Sequence, residues 1–297
     1  MIECRKYNFF LLLTTLGLII SVATSSSLAN KLESGVVVSS SPYASIVGTK
    51  VLERGGNAVD AAVATAFALA VTYPEAGNIG GGGFMLLHDS KTGKEYFVDF
   101  REKAPLRAHR DMYLDEEGNI VEGLSVKGIK AVGVPGTIAG LYLVHRAFGV
   151  MKWGELIEPA ISLAEDGFVV GGYAERLRRL KGYLDEFPEL RRFVYVNGHE
   201  ISESDTLRQP ELARTLRLIA RDGPAAFYNG PIARMIIDEM KKRGGLITLE
   251  DLRRYEAKFR SPVYGEYRGY RIVSAPPPSS GGTILIEILN ILEGLSL

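Results

Sequence analysis

The chain has little sulfur and little imidazole, and neither sign of charge is in excess. Its 297 residues hold one cysteine and four histidines, and 35 Lys plus Arg balance 35 Asp plus Glu. That balance supplies no global basic field to recruit nucleic acid or an anionic membrane. Cys4 lies within an N-terminal leader, so an exported chain keeps no thiol for a disulfide, a metal or a nucleophile. His88, His109, His145 and His199 are too scattered for the pair on one helix that binds catalytic zinc, and they read as structural or exposed. No G-x-S-x-G elbow occurs and no Ser stands three residues before a Lys, so the common activated-nucleophile patterns are missing. There is no internal repeat, no Ser/Gly-rich linker and no second long hydrophobic run. What remains is a globular composition, 46% hydrophobic, 24% charged and 9% aromatic, in a length that suits one large domain or two tightly packed lobes.

Arg5 and Lys6 precede an apolar run from Phe9 to Ala23, and a small, polar stretch, TSSSLAN, follows it. That order predicts a secretory signal over residues 1–29, with small residues Ser27 and Ala29 at the positions a signal peptidase reads and a mature start at Asn30. The run falls short of the roughly twenty apolar residues needed to span a bilayer, so an uncleaved anchor is the weaker reading. Export to a periplasm or to the medium is the expected location, with no stable membrane span.

The β-branched run Gly35–Pro42 reads as a strand leading into a helix over Tyr43–Arg54, which Gly55 and Gly56 stop. Asn57 restarts a helix as its N-cap, and Asp60 adds charge where the helix dipole favours it. The segment AVDAAVATAFALAVT is apolar nearly all round, which predicts a helix sandwiched between layers. Phe84–His88 and Tyr96–Phe100 alternate with period two around a polar turn and read as a hairpin. Gly80–Gly83 enter a strand and no Lys-Ser or Lys-Thr follows, so a tight turn or close backbone approach is preferred over a phosphate cradle. Helices follow at Gly136–Phe148, Trp153–Glu165, around Leu212–Ile219 and at Ile232–Lys242, with Thr248 and Asp251 spaced as a capping box. A second hairpin, Val263–Tyr267 with Tyr270–Ser274, precedes APPPSSGG and an apolar helix starting near Ile284. The sum is an α+β arrangement of stacked helix and sheet layers.

For chemistry, the segment YFVDFRE is the most informative. Alternation places Phe97, Asp99 and Arg101 on one face and Tyr96, Val98 and Phe100 on the other. A guanidinium at a strand end can clamp a carboxylate through two parallel bonds, or it can form a surface ion pair with Asp99 or Glu102.

Five blocks, GGNAVDAAVATAFALAVTYPEAGNIGGGGFML, VDFREKAP, GVPGTIAG, GGLITLEDL and YRGYRIVSAPPPSSGGT, together resemble the large-subunit region of a γ-glutamyltransferase, also called glutathione hydrolase. The resemblance runs in order from Gly35 to Glu293. It implies part of an N-terminal-nucleophile hydrolase αββα sandwich, here the helix-rich part, in an exported zymogen that cuts itself into two subunits. It implies that a newly exposed Thr attacks the γ-glutamyl amide of glutathione and related compounds, and that water or an amino acid then takes the γ-glutamyl group. Arg101 matches the Arg that binds the α-carboxylate, which moves its reading from surface pair to substrate clamp, with Asp99 and Glu102 as partners behind it. No cofactor or metal is implied. The family's Thr-Thr-His nucleophile block falls beyond Leu297, so residues 30–297 are expected to be an incomplete large-subunit region, inactive alone and partnered by a small subunit from the same precursor. Two rivals stand beside this reading: a related exported acylase of the same superfamily, such as a cephalosporin or glutaryl acylase or a capsule depolymerase, and a non-catalytic exported binding protein.

Overall fold

A computed structural model describes residues 35–295. The expected signal peptide, residues 1–29, lies outside the described residues. Helix α1 (Pro42–Glu53) starts on a proline whose fixed φ suits a first turn and whose missing N–H costs nothing there. It lays Ala44, Val47 and Val51 against α2 (Ala58–Thr72). Asn57 caps α2, its Oδ1 accepting from the N–H groups of Val59 at 2.9 Å and Asp60 at 3.0 Å, and the Asp60 carboxylate accepts the Asn57 N–H in return. As the all-round apolar composition predicts, Val63, Phe67 and Val71 of α2 are fully buried. Helices α3 (Thr137–Phe148) and α4 (Trp153–Asp166) pack beside α2, and α7 (Pro210–Asp222) packs behind α4.

Strands β1 (Phe84–Asp89) and β2 (Lys94–Asp99) form the first hairpin, in register Phe84 to Asp99. A third antiparallel strand, β7 (Lys258–Arg260), joins the far side of β2 and pairs Phe97 with Arg260. Between these regions run short pieces: β3 (Phe168–Val169) paired with β6 (Thr206–Leu207), helices α5 (Ala174–Arg179) and α6 (Arg191–Val194), and β4 (Tyr195–Val196) paired with β5 (His199–Glu200). Helices α8 (Pro224–Tyr228), α9 (Pro231–Arg243) and α10 (Leu249–Arg253) lead back to the sheet. Thr248 and Asp251 form the expected capping box at α10, with Asp doing what Glu or Gln more often does. Strands β8 (Val263–Tyr267) and β9 (Tyr270–Ser274) make the second hairpin, and α11 (Gly281–Glu293) packs on it.

Two local expectations need correction. Residues 35–41 form no strand and pair with none among the described residues, and Val36 and Val38 are 83% and 87% exposed, so the β-branched run is not a ladder strand. Strand β2 ends at Asp99, so the alternation that puts Phe97, Asp99 and Arg101 on one face stops short of the arginine.

Candidate active site

The main chain past β2 turns within a set of close approaches that fix where Arg101 emerges. Gly83 and Phe100 exchange backbone hydrogen bonds of 3.2 and 3.1 Å, prolonging the hairpin by one pair. The carbonyl of Gly81 accepts the N–H groups of Gly136 at 2.6 Å and Thr137 at 3.0 Å, binding the glycine run to the first turn of α3. A Cβ on Gly82 would press into the backbone from Phe100 to Glu102. Within the run Gly80–Gly83, Gly82 is therefore a point of close backbone approach, the reading preferred from the sequence, while Gly80 faces open space. On the other side, Lys103 and Val134 exchange bonds of 3.2 and 2.8 Å.

Within this frame Arg101 is held by its own backbone atoms. Its N–H donates to Asp99 Oδ1 at 3.1 Å and its carbonyl accepts the Tyr255 hydroxyl at 2.8 Å. The guanidinium is exposed. One of its nitrogens, Nη1, donates to the Pro278 carbonyl at 3.3 Å, and it forms no ion pair among the described residues. The surface pair with Asp99 is absent because Asp99 is taken: its Oδ2 accepts from Arg260 Nε at 2.6 Å across the β2–β7 pairing. Asp99 thus supports Arg101 through the main chain and not by charge. Glu102 is exposed and likewise makes no ion pair among the described residues.

Arg101 opens onto a cavity of about 510 Å³ whose wall also carries Glu102, Lys103, Met112, Tyr113 and Lys130. Three cations against one carboxylate favour an anionic group there. The Lys103 ammonium lies 4.7 Å from the centre of the Tyr255 ring and donates to the Glu256 carbonyl at 3.0 Å. Burial, and after it the neighbouring Lys258, holds this ammonium below the ordinary lysine range. The cavity's flank is pinned by Asp251, which accepts the Leu106 N–H at 2.6 Å in addition to its capping bonds. No cluster of three or more His, Cys, Asp or Glu among the described residues could hold a metal ion, and no helix there is long and apolar enough to cross a membrane.

The geometry can therefore orient a carboxylate, since a planar donor fork rises from a fixed main chain and is paired to no acid among the described residues. Sequence reading finds Arg101 but passes over Tyr255 and Gly136. Tyr255 contacts Arg101 across 154 residues, and nothing local in LRRYEAK marks it.

A family profile described as Gamma-glutamyltranspeptidase matches residues 44–297. The glutathione hydrolase proenzyme of Escherichia coli (strain K12) is 47% identical over 265 residues, which is 89% of this chain and 46% of that protein. Among solved structures, the gamma-glutamyltranspeptidase of Helicobacter pylori matches with a TM-score of 0.85 at 49% identity, covering 89% of this chain and 76% of that one. The gamma-glutamyltranspeptidase of Pseudomonas nitroreducens complexed with L-DON gives 0.82 at 45%, covering 90% and 80%. The chain spans about half the length of the curated relatives it matches.

Proposed function

This chain belongs to the gamma-glutamyltranspeptidase family, and we propose that it forms the substrate-clamping, large-subunit part of an exported glutathione hydrolase. Its α+β layers are the helix-rich part of the N-terminal-nucleophile hydrolase sandwich. In the proposed reaction a Thr outside these 297 residues, freed by self-cleavage of the precursor, attacks the γ-glutamyl amide carbon. Its own α-amino group takes the hydroxyl proton and passes it to the departing amine. The resulting γ-glutamyl ester is opened by water or by the amino group of an acceptor amino acid. Arg101 grips the α-carboxylate of the γ-glutamyl group and so sets the distance from that end of the substrate to the scissile amide.

The observation that carries this reading is the exposed Arg101 guanidinium, free of any ion pair among the described residues, on a main chain fixed on both sides. The first test uses the completed enzyme, these residues together with the nucleophile-bearing portion. Arg101→Ala should leave self-cleavage intact, because the clamp touches substrate and not the scissile peptide. It should raise KM for L-γ-glutamyl-p-nitroanilide tenfold or more, since a hydrogen bond to a charged group contributes about 1.5 to 3 kcal/mol. Arg101→Lys should recover little, because an ammonium cannot form the two-bond fork. The matched donor without the α-carboxylate, 4-aminobutyryl-p-nitroanilide, should be nearly indifferent to both changes. Equal losses on the two donors would mean that Arg101 holds the fold and not the substrate. Glutaryl donors preferred over γ-glutamyl ones would favour the acylase reading. The 297 residues alone are expected to release no p-nitroaniline from either donor.

A further inference from the structure

We infer that Tyr255 is the positioning residue of the Arg101 clamp: its hydroxyl fixes the Arg101 carbonyl and thereby the direction in which the guanidinium leaves the loop. The inference rests on the clamp reading given above and adds to it a residue that touches no substrate.

Tyr255 sits just past α10, 7% exposed, and donates to the Arg101 carbonyl at 2.8 Å. Its ring is held by two neighbours. Tyr228 stacks on one side, with centroids 5.7 Å apart and planes 9° from parallel, and the Lys103 ammonium covers the ring at 4.7 Å. Tyr228 is itself fixed, donating to the Pro135 carbonyl at 3.0 Å and accepting the Ala139 N–H at 3.3 Å. The phenol is therefore a rigid strut from the α3–α8 region to the one backbone oxygen next to the clamp. Burial pushes the Tyr255 hydroxyl above the ordinary phenol range, so it stays a donor throughout the pH range of any assay.

Gly136 supplies independent support. A Cβ at that position would overlap both the Tyr255 hydroxyl and the Phe100 carbonyl, so the strut reaches Arg101 only because residue 136 has no side chain. The Gly136 N–H meanwhile holds Gly81 at 2.6 Å, which joins the glycine run, the strut and the clamp in one contact set. A ring that served packing alone would have no use for a hydroxyl aimed at the Arg101 carbonyl.

The test is a KM-against-kcat split in the completed enzyme, measured on L-γ-glutamyl-p-nitroanilide and 4-aminobutyryl-p-nitroanilide. Tyr255→Phe keeps the ring, the stacking and the cation contact and removes only the hydroxyl. It should raise KM for the carboxylate-bearing donor about fivefold, the scale of one net hydrogen bond, with a much smaller change in kcat and little change on the matched donor. Gly136→Ala should displace the hydroxyl and the Phe100 carbonyl together, and so cost the carboxylate-bearing donor at least as much as Tyr255→Phe does. Arg101→Ala is run alongside. If Arg101→Ala is selective for the carboxylate-bearing donor while Tyr255→Phe changes nothing, or harms both donors equally, the positioning role is refuted and the clamp stands. If Arg101→Ala is itself unselective, the clamp reading fails and takes the inference with it. Should Gly136→Ala fail to fold, Tyr255→Phe alone decides.

Discussion

Asp60 shows how much one carboxylate can hold. It is fully buried, and besides closing the capping box with Asn57 it accepts the N–H of Val150 at 3.1 Å to each oxygen and of Met151 at 3.3 Å. One side chain thus starts α2 and ties down the loop between α3 and α4. Asp60→Ala would strip the acceptor from three backbone donors, and the expected loss of stability is roughly 3 kcal/mol, read as a lowered urea midpoint at unchanged slope. Asp60→Asn keeps one acceptor oxygen and should lose about half as much; a loss below about 0.5 kcal/mol for the alanine variant would show the loop to be held by packing instead. The local half of this role is legible in the sequence, because a cap three residues from an acid is a short-range pattern. The reach to Val150 is not, since ninety residues separate the partners. The clamp divides in the same way. Arg101 is legible through the FRE block, whereas its fixing by Asp99, Arg260 and Tyr255 depends on strand pairing and on a distant ring.

The β8–β9 hairpin illustrates what an element needs beyond its own turn. Arg268 and Gly269 adopt φ of 49° and 81°, the left-handed pair that matches strand twist in a two-residue turn, and the sequence predicts both strands to the residue. Its attachment to the first sheet is not visible there. Arg271 forms two bonds to Glu95 on β2, at 2.7 and 3.0 Å, and His88 Nδ1 lies 3.4 Å from the same carboxylate. The Arg271 guanidinium lies 4.9 Å from the Tyr264 ring centre, which keeps it on its own hairpin. Arg271, ahead of His88, holds the Glu95 carboxyl below its ordinary value of 4.5. A depressed folded-state value means the contribution is fully present above pH 4.5 and is lost as pH falls through the lowered value. Hydrogen exchange of residues 263–274, compared with that of β1, should therefore show the hairpin loosening first in the acid range. Glu95→Gln should show that loosening already at neutral pH and remove most of the further change on acidification. A hairpin whose protection in the parent chain is flat from pH 7 to 3.5 would exclude the staple. The segment 35–41 is the converse case. Its β-branched run has strand propensity but finds no described partner, and propensity without a ladder makes no strand.

At the scale of the whole molecule, the layer order is legible only because five separated blocks resemble a known family. Periodicity gives helices and hairpins, but it cannot bring Arg260 beside Phe97 to complete the first sheet. The same limit applies to surfaces, since an apolar helix reads alike whether it is covered or bare. Helix α11 sets Ile286 against Gly265 of the hairpin, while Ile284, Leu285, Ile288 and Ile291 are 48%, 42%, 48% and 68% exposed. Ile284 and Ile288 are one helical turn apart and share a stripe. An apolar stripe this continuous, beside a hairpin whose outer edges pair with no strand among the described residues, favours self-association in water. The 297 residues expressed alone should therefore form soluble aggregates or dimers by light scattering. Ile284→Glu combined with Ile288→Glu should shift them toward monomer without lowering the melting temperature, because neither side chain faces the hairpin in the way Ile286 does. Co-expression with the nucleophile-bearing portion should have the same effect on the unsubstituted chain if that portion covers α11, and no effect if it binds elsewhere. A monodisperse, cooperatively melting monomer from the unsubstituted chain alone would overturn this expectation, and it would strengthen the rival view of a self-sufficient exported binding protein.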